Sequence, residues 1–244
     1  MKKLTGYLTP KLPDAAFTID LANAMFEAGM DALELGAPFS DPVADGAAIE
    51  RASHLALRNG FVFDDLLTIS AALKGRDLMW MGYTNPFLRR GFERTIKEAR
   101  GLGVSALIIP DLPHEEAESY RAIFEANGVD LIEFVAPTTP KERIAQNLRK
   151  ARKFIYLVAY TGVTGAGGDE DLQDILAAIK AASQTPVFVG FGVNRDTAKA
   201  RAKGADGVIV GSSFIKILLD ETLSNGEKVR RVCEETKAIK EAIQ

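Results

Sequence analysis

The chain has one cysteine, Cys233, and only two histidines, His54 and His114, among its 244 residues. A single thiol forms no intrachain disulfide, so packing alone must hold the fold and a reducing compartment is expected. The two histidines show none of the short spacings of a zinc or iron site, and no metal is expected. Basic residues are not in excess. A formal net charge of -3 offers no field for nucleic acid or an anionic membrane. No run approaches the roughly 18 to 20 consecutive apolar residues that span a bilayer. The first nine residues carry two positive charges and no long apolar stretch, unlike a secretory leader, so the expected location is cytoplasmic. No lysine ends an apolar run as a Schiff-base nucleophile would, since Lys153 precedes its run, and no Gly-x-Ser-x-Gly elbow is present. Linkers rich in Pro, Gly or Ser and solenoid-length repeats are also lacking. Residues 1–244 therefore read as one domain.

What is present is an alternation. With 47% hydrophobic and 26% charged residues, the chain can bury a substantial core. Eight short β-rich apolar runs stand out: Leu4 to Leu8, Ala32 to Gly36, Leu78 to Tyr83, Ala106 to Pro110, Leu131 to Ala136, Phe154 to Ala159, Val187 to Gly190 and Gly207 to Val210. Between them, Asp14 to Gly29, Pro86 to Gly101, His114 to Gly128 and Glu170 to Ser183 carry apolar residues at three- and four-residue spacings, as amphipathic helices do. Parallel strands joined by crossover helices give this pattern. Eight such units favour a closed (β/α)8 TIM barrel over a doubly wound open sheet.

In such a barrel the reacting groups sit where strands end and the following loops begin. Most ends here are small or apolar, but the second, Glu34 to Gly46, holds Glu34, Asp41 and Asp45. Alternation puts Glu34 on the face of Ala32 and Gly36. If that face is the interior, burial raises the carboxyl toward the range useful for proton transfer. The alternative is a structural glutamate paired with a basic residue. Asp41 and Asp45, beside Pro42 and Gly46, also suit a simple turn. Near the C-terminus, Gly190-Phe191-Gly192 and Gly211-Ser212 follow consecutive strands and each opens a helical segment. Backbone N–H groups there can hold a phosphate without basic side chains. Gly162 to Gly168 follows the sixth run, and its glycine content suits a mobile lid.

The segment Leu33-Glu34-Leu35-Gly36-Ala37-Pro38-Phe39-Ser40-Asp41-Pro42-Val43-Ala44-Asp45-Gly46 resembles the signature of tryptophan synthase α subunits. The resemblance continues at Gly82-Tyr83-Thr84-Asn85-Pro86, Ile109-Pro110-Asp111-Leu112-Pro113, Tyr156, Gly162-Val163-Thr164-Gly165, Gly190-Phe191-Gly192 and Gly211-Ser212. It implies retro-aldol cleavage of indole-3-glycerol phosphate to indole and glyceraldehyde 3-phosphate. By the same resemblance Glu34 matches an acid/base glutamate, Asp45 an aspartate on the indole N–H, and Tyr156 a tyrosine near the reacting side chain. Phe191, Ile49 and Tyr83 match the indole pocket, Thr164 a lid threonine, and Gly165, Gly192, Gly211 and Ser212 phosphate-binding positions. Asp41 and Pro42 match the loop toward a partner, a pyridoxal-phosphate-dependent β subunit in an α2β2 assembly. No cofactor is implied for this chain itself. Departures from the family pattern stand out too: Leu4 begins almost at the start of the sequence where the family usually has a helix before the first strand, Ala47 replaces a common proline, and Glu50 replaces a common glutamine. Tyr160 also falls at a position that is variable or basic in relatives. A different phosphate-binding barrel enzyme, such as an isomerase, and a non-catalytic regulatory barrel are the competing readings.

Overall fold

The computed structural model describes residues 1–159 and 169–244. The strands are β1 (Lys3–Leu8), β2 (Ala32–Gly36), β3 (Leu78–Met81), β4 (Val104–Ile108), β5 (Asp130–Leu131), β6 (Glu133–Val135), β7 (Ile155–Val158), β8 (Val187–Gly190) and β9 (Gly207–Val210). The helices are α1 (Ala15–Glu27), α2 (Ala47–Arg58), α3 (Phe63–Ala72), α4 (Thr84–Arg90), α5 (Phe92–Gly101), α6 (His114–Ala117), α7 (Arg121–Asn127), α8 (Lys141–Asn147), α9 (Asp169–Ala182), α10 (Ala198–Arg201), α11 (Ser212–Leu218) and α12 (Asn225–Ala242). All strand pairs are parallel, in the order β5-β4-β3-β2-β1-β9-β8-β7-β6.

The two ends of that order are one stretch of chain. Only Ile132 separates β5 from β6, and its N–H bonds Leu107 O at 3.0 Å. β5 pairs with β4 and β6 with β7, so the sheet closes on itself. The nine segments are the eight staves expected from the sequence, with the fifth interrupted where its pairing changes sides. The chain is a (β/α)8 barrel.

Alternation along each stave sorts the core. On β7 and β8, Tyr156 and Phe188 turn inward with Phe154 and Phe134; Phe154 stacks on Phe188 at 4.5 Å between ring centres and Phe134 on Tyr156 at 5.0 Å. Ile155, Leu157, Val187 and Val189 turn outward under Leu172, Ile175, Leu176 and Ile179 of α9. Each such fully buried side chain contributes about 1.5–3 kcal/mol relative to exposure.

Two expected helices are interrupted. Gly91, at φ 93°, divides the stretch read as Pro86 to Gly101 into α4 and α5. A 3-10 turn over Glu118–Tyr120 divides His114 to Gly128. Two other helix starts are capped by side chains: Asp14 accepts from Phe17 N at 2.8 Å, and Ser224 and Glu227 form a reciprocal box at α12.

At the end of the barrel where strands begin, aspartates preceding one strand satisfy groups on its neighbour. Asp31 accepts from Leu4 N at 2.8 Å, Asp206 from Val187 N at 2.9 Å, and Asp77 from Ser105 Oγ at 2.7 Å. Asp31 also pairs with Lys3 and with Lys240 of α12. Burial pushes its carboxyl up, but the bonds from Lys240, Leu4 N and Lys3 outweigh this and hold it below the usual value. No described helix is long and apolar enough to cross a membrane.

Candidate active site

Glu34 lies in the middle of β2 and is 2% exposed. In register it stands between Tyr7 of β1 and Met79 of β3, neither of them a cation. Its Oε1 has no hydrogen-bond partner. Among the described residues no basic side chain pairs with it, which removes the structural-pair alternative. Burial first, and the nearby charge of Asp45 second, push its pKa up to about 8.

Asp45 closes the loop that follows β2. That loop is fastened at its start: Ala37 N bonds Met81 O at 2.7 Å, and Ser53 of α2 donates to Phe39 O and accepts from Phe39 N. Tyr83, just past β3, holds its far end. Its hydroxyl accepts from Ala44 N at 3.0 Å and donates to the Asp45 carboxylate, while its ring meets Phe39 at 5.5 Å. Burial pushes Asp45 up to about 6; the Tyr83 bond opposes this and Glu50 of α2 reinforces it. Tyr83, in turn, holds its own proton more tightly because it is buried beside that carboxylate.

Two tyrosines occupy space that glycines vacate. A Cβ on Gly36 would lie 2.1 Å from Tyr7 Oη, and one on Gly190 would lie 2.3 Å from Tyr156 Cε1. Both phenols are buried, and burial together with the field of Glu34 and Asp45 raises both pKa values well above normal. The Tyr7 hydroxyl accepts a long 3.5 Å bond from Thr9. Tyr156, expected from the sequence, therefore shares the interior with Glu34, as does Tyr7, which the sequence reading passed over. The only hint of Tyr7 was its place on the inward face of the first strand, two residues before Thr9.

The rim is completed by the loops after β8 and β9. Phe191 takes φ 71°, a conformation rare outside glycine, and Gly192 follows at φ 70°. This turn brings the half-exposed Phe191 ring edge-on to Tyr156 at 6.2 Å. Ile49 of α2 reaches Gly211, where a Cβ would meet Ile49 Cδ1 at 3.2 Å and Tyr7 Cβ at 3.5 Å. Gly211 opens α11 directly, with Ser212 its first residue. Gly192 does not open a helix as expected. Asn194 Oδ1 captures the N–H groups of Asp196 and Thr197, and Thr197 Oγ1 donates to Gly192 O, delaying the helix to Ala198.

Asp41 and Pro42 lie at the outer bend of the β2 loop. Ser40 Oγ donates to Asp41 at 2.5 Å, and the neighbouring Val43 is 81% exposed. They are not brought to Glu34. Thr164, Gly165, the expected lid over 162–168 and Tyr160 lie outside the described residues. Ala47 is the first residue of α2, and Glu50 stands in its first turn. Sequence reading also missed a buried carboxylate on α12, Glu235, which is bonded to Arg195 and Ser213. Among the described residues, no three His, Cys, Asp or Glu side chains gather as a metal-binding group. A separate cavity of about 370 Å³ lies between the loop after β4 and α8, lined by Pro110, His114, Glu133 and Arg143, and includes neither Glu34 nor Asp45.

The family model described as tryptophan synthase alpha chain matches residues 1–244. The tryptophan synthase alpha chain of Wolinella succinogenes is 51% identical over 245 residues, covering 100% of this chain and 96% of that protein. That of Chloroflexus aggregans is 44% identical over 233 residues, covering 93% and 86%. Among solved structures, tryptophan synthase from M. tuberculosis in an aminoacrylate-bound form superposes with a TM-score of 0.88 at 33% identity, covering 100% of this chain and 94% of that one. The tryptophan synthase subunit alpha from Campylobacter jejuni gives 0.87 at 34% identity, covering 96% and 95%.

Proposed function

Because the chain belongs to the tryptophan synthase alpha chain family, and is thereby a lyase that cleaves indole-3-glycerol phosphate into indole and glyceraldehyde 3-phosphate, we propose that Glu34 and Asp45 divide the proton work of that reaction. In the cleavage, C3 of the indole gains a proton as its bond to the side chain breaks, and the hydroxyl on the adjoining carbon loses one. Glu34, neutral at pH 7 with its pKa near 8, donates to C3. The ring becomes an indolenine cation with its charge on nitrogen. Asp45, ionised above about pH 6, accepts the ring N–H and faces that charge. The Glu34 carboxylate then takes the hydroxyl proton, the electron pair of the C–C bond returns to the ring, and the aldehyde forms. One proton leaves Glu34 and one returns, so the site is ready for the next substrate.

The observation that carries this reading is the Glu34 carboxyl, buried with Oε1 unpartnered and raised by Asp45 beside it. Two carboxyls whose environments push their pKa values apart make an acid and an anion at one pH. Around them, Tyr156 flanks the glycerol side chain, Phe191, Ile49 and Tyr83 enclose the indole, and Gly192, Gly211 and Ser212 offer backbone N–H groups to the phosphate. By the family resemblance Thr164 serves as the lid threonine and Gly165 joins the phosphate-binding positions. The exposed Asp41–Pro42 bend faces the partner, a pyridoxal-phosphate-dependent β subunit that receives indole in an α2β2 assembly. The pyridoxal phosphate belongs to that partner. Residues 1–244 act as one barrel domain, in the cytoplasm.

The test is indole release from indole-3-glycerol phosphate by the purified chain, alone and with a β subunit, beside Glu34→Gln. Release that requires Glu34 and rises with the partner supports the assignment. Turnover retained by Glu34→Gln would remove Glu34 from the chemistry, and no stimulation by the partner would remove the proposed interface.

A further inference from the structure

Glu235 is a buried carboxylate, 8% exposed, on the helix that closes the chain, and the reaction gives it no part. Its three hydrogen bonds all lead to the rim. Oε1 accepts from Ser213 Oγ at 2.9 Å and from Arg195 N at 3.3 Å, and Oε2 accepts from Arg195 Nε at 2.8 Å. Ser213 follows Gly211 and Ser212 at the end of β9. Arg195 lies three residues past Gly192 in the loop after β8. These two loops come from different staves, and among the described residues no backbone hydrogen bond joins 191–197 to 211–213. One carboxylate on a third element bridges them.

We propose that Glu235 is a positioning residue that fixes the spacing of the two loops, and with it the gap in which the substrate's phosphate is held. This rests on the reading of Gly192, Gly211 and Ser212 as the phosphate cradle. Backbone N–H groups grip a phosphate only when their separation matches its oxygens, and two independent loops do not hold a separation unaided. Glu235 supplies the link from behind, out of contact with substrate. The backbone N–H of Arg195 and the hydroxyl of Ser213 are the essential contacts. The Arg195 guanidinium is half exposed, at 53%, and adds little through its charge. Losing the carboxylate leaves the Glu34 and Asp45 geometry intact, because those residues sit on β2 and its loop.

The experiment compares Glu235→Ala, Glu235→Gln, Ser213→Ala and Arg195→Met for cleavage kinetics, for calorimetric binding of inorganic phosphate and of indole, and for thermal unfolding. Glu235→Ala is expected to raise KM for indole-3-glycerol phosphate about tenfold with kcat within about twofold, and to weaken inorganic phosphate by a similar factor while indole binding is unchanged. Glu235→Gln keeps an acceptor for Ser213 and Arg195 N and recovers most of the loss. Ser213→Ala gives a smaller rise in KM, which keeps the test open if Glu235→Ala does not fold, and Arg195→Met stays close to the unsubstituted chain. A lowered melting temperature with phosphate affinity and KM unchanged overturns the proposal and makes Glu235 a purely structural residue. So does a fall in kcat without a change in KM. If the unsubstituted chain binds no inorganic phosphate while releasing indole, the cradle reading itself fails and the proposal falls with it.

Discussion

The burial that makes Glu34 a proton donor near neutrality also weakens the fold around it. The unfolded chain releases this proton near the ordinary value of 4.5 and the folded chain near 8. Between those values the unfolded state has lost a proton that the folded state keeps, so stability falls as pH rises through the window and stays low above it. Glu34→Gln is therefore expected to unfold at higher urea than the parent at pH 8.5, by on the order of 3–5 kcal/mol, with the gap nearly closed at pH 4.5. A gap that does not depend on pH would contradict this. Catalysis needs Glu34 protonated and Asp45 ionised, so kcat/KM should follow a bell with limbs near about 6 and about 8. Glu50 raises Asp45, so Glu50→Gln should move the acid limb to lower pH and leave the alkaline limb in place. Glu34 and Asp45 were legible in the sequence because carboxylates at a strand end stand out from an apolar background. Tyr7 was not, since an aromatic inside a strand is ordinary packing. Glu235 was not either: a glutamate on a polar helix reads as solvated until the fold brings Arg195 and Ser213 to it.

Among the elements, strands were more legible than helices. A stave buried on both faces is a short apolar run with sharp ends, whereas a helical period continues through a break that leaves the apolar spacing intact. That is why Pro86 to Gly101 reads as one helix although Gly91 divides it. At φ 93° only glycine is unstrained. Gly91→Ala should cost about 1–2 kcal/mol in urea unfolding and leave kcat unchanged; an unchanged midpoint would mean that α4 and α5 can reorganise around the junction. The loop after β8 departs from expectation for a related reason. Asn194 and Thr197 satisfy N–H groups that would otherwise begin a helix, and nothing in apolar periodicity reports a side chain that competes with the backbone.

At the scale of the whole molecule, eight staves were countable from the sequence, and the closed ring followed from the count. The interruption at Ile132 was not visible, because each half of that stave is a carboxylate followed by apolar residues and only the change of partner separates them. Nor could the sequence show what ties the far end of the barrel together. Asp31 gathers Leu4 N, Lys3 and Lys240, joining the start of β1 to the end of α12. Asp31→Ala leaves the buried N–H of Leu4 without its acceptor, a loss of about 1–3 kcal/mol. The expected result is a melting temperature lower by several degrees with kcat unaltered, since this end is remote from the chemistry; a fall in kcat would mean that disturbance crosses the barrel.

The tyrosine–glycine pairs inside the barrel, Tyr7 with Gly36 and Tyr156 with Gly190, carry a consequence for descent. Adding a methyl group to either glycine drives it into a ring, and trimming either tyrosine leaves a void where the glycine cannot follow. Each member is safe only while the other stays, so a lineage can leave either pair only by changing both members together. The two pairs are ratchets: mutational drift that freely rewrites the outer helices would stall at these four positions.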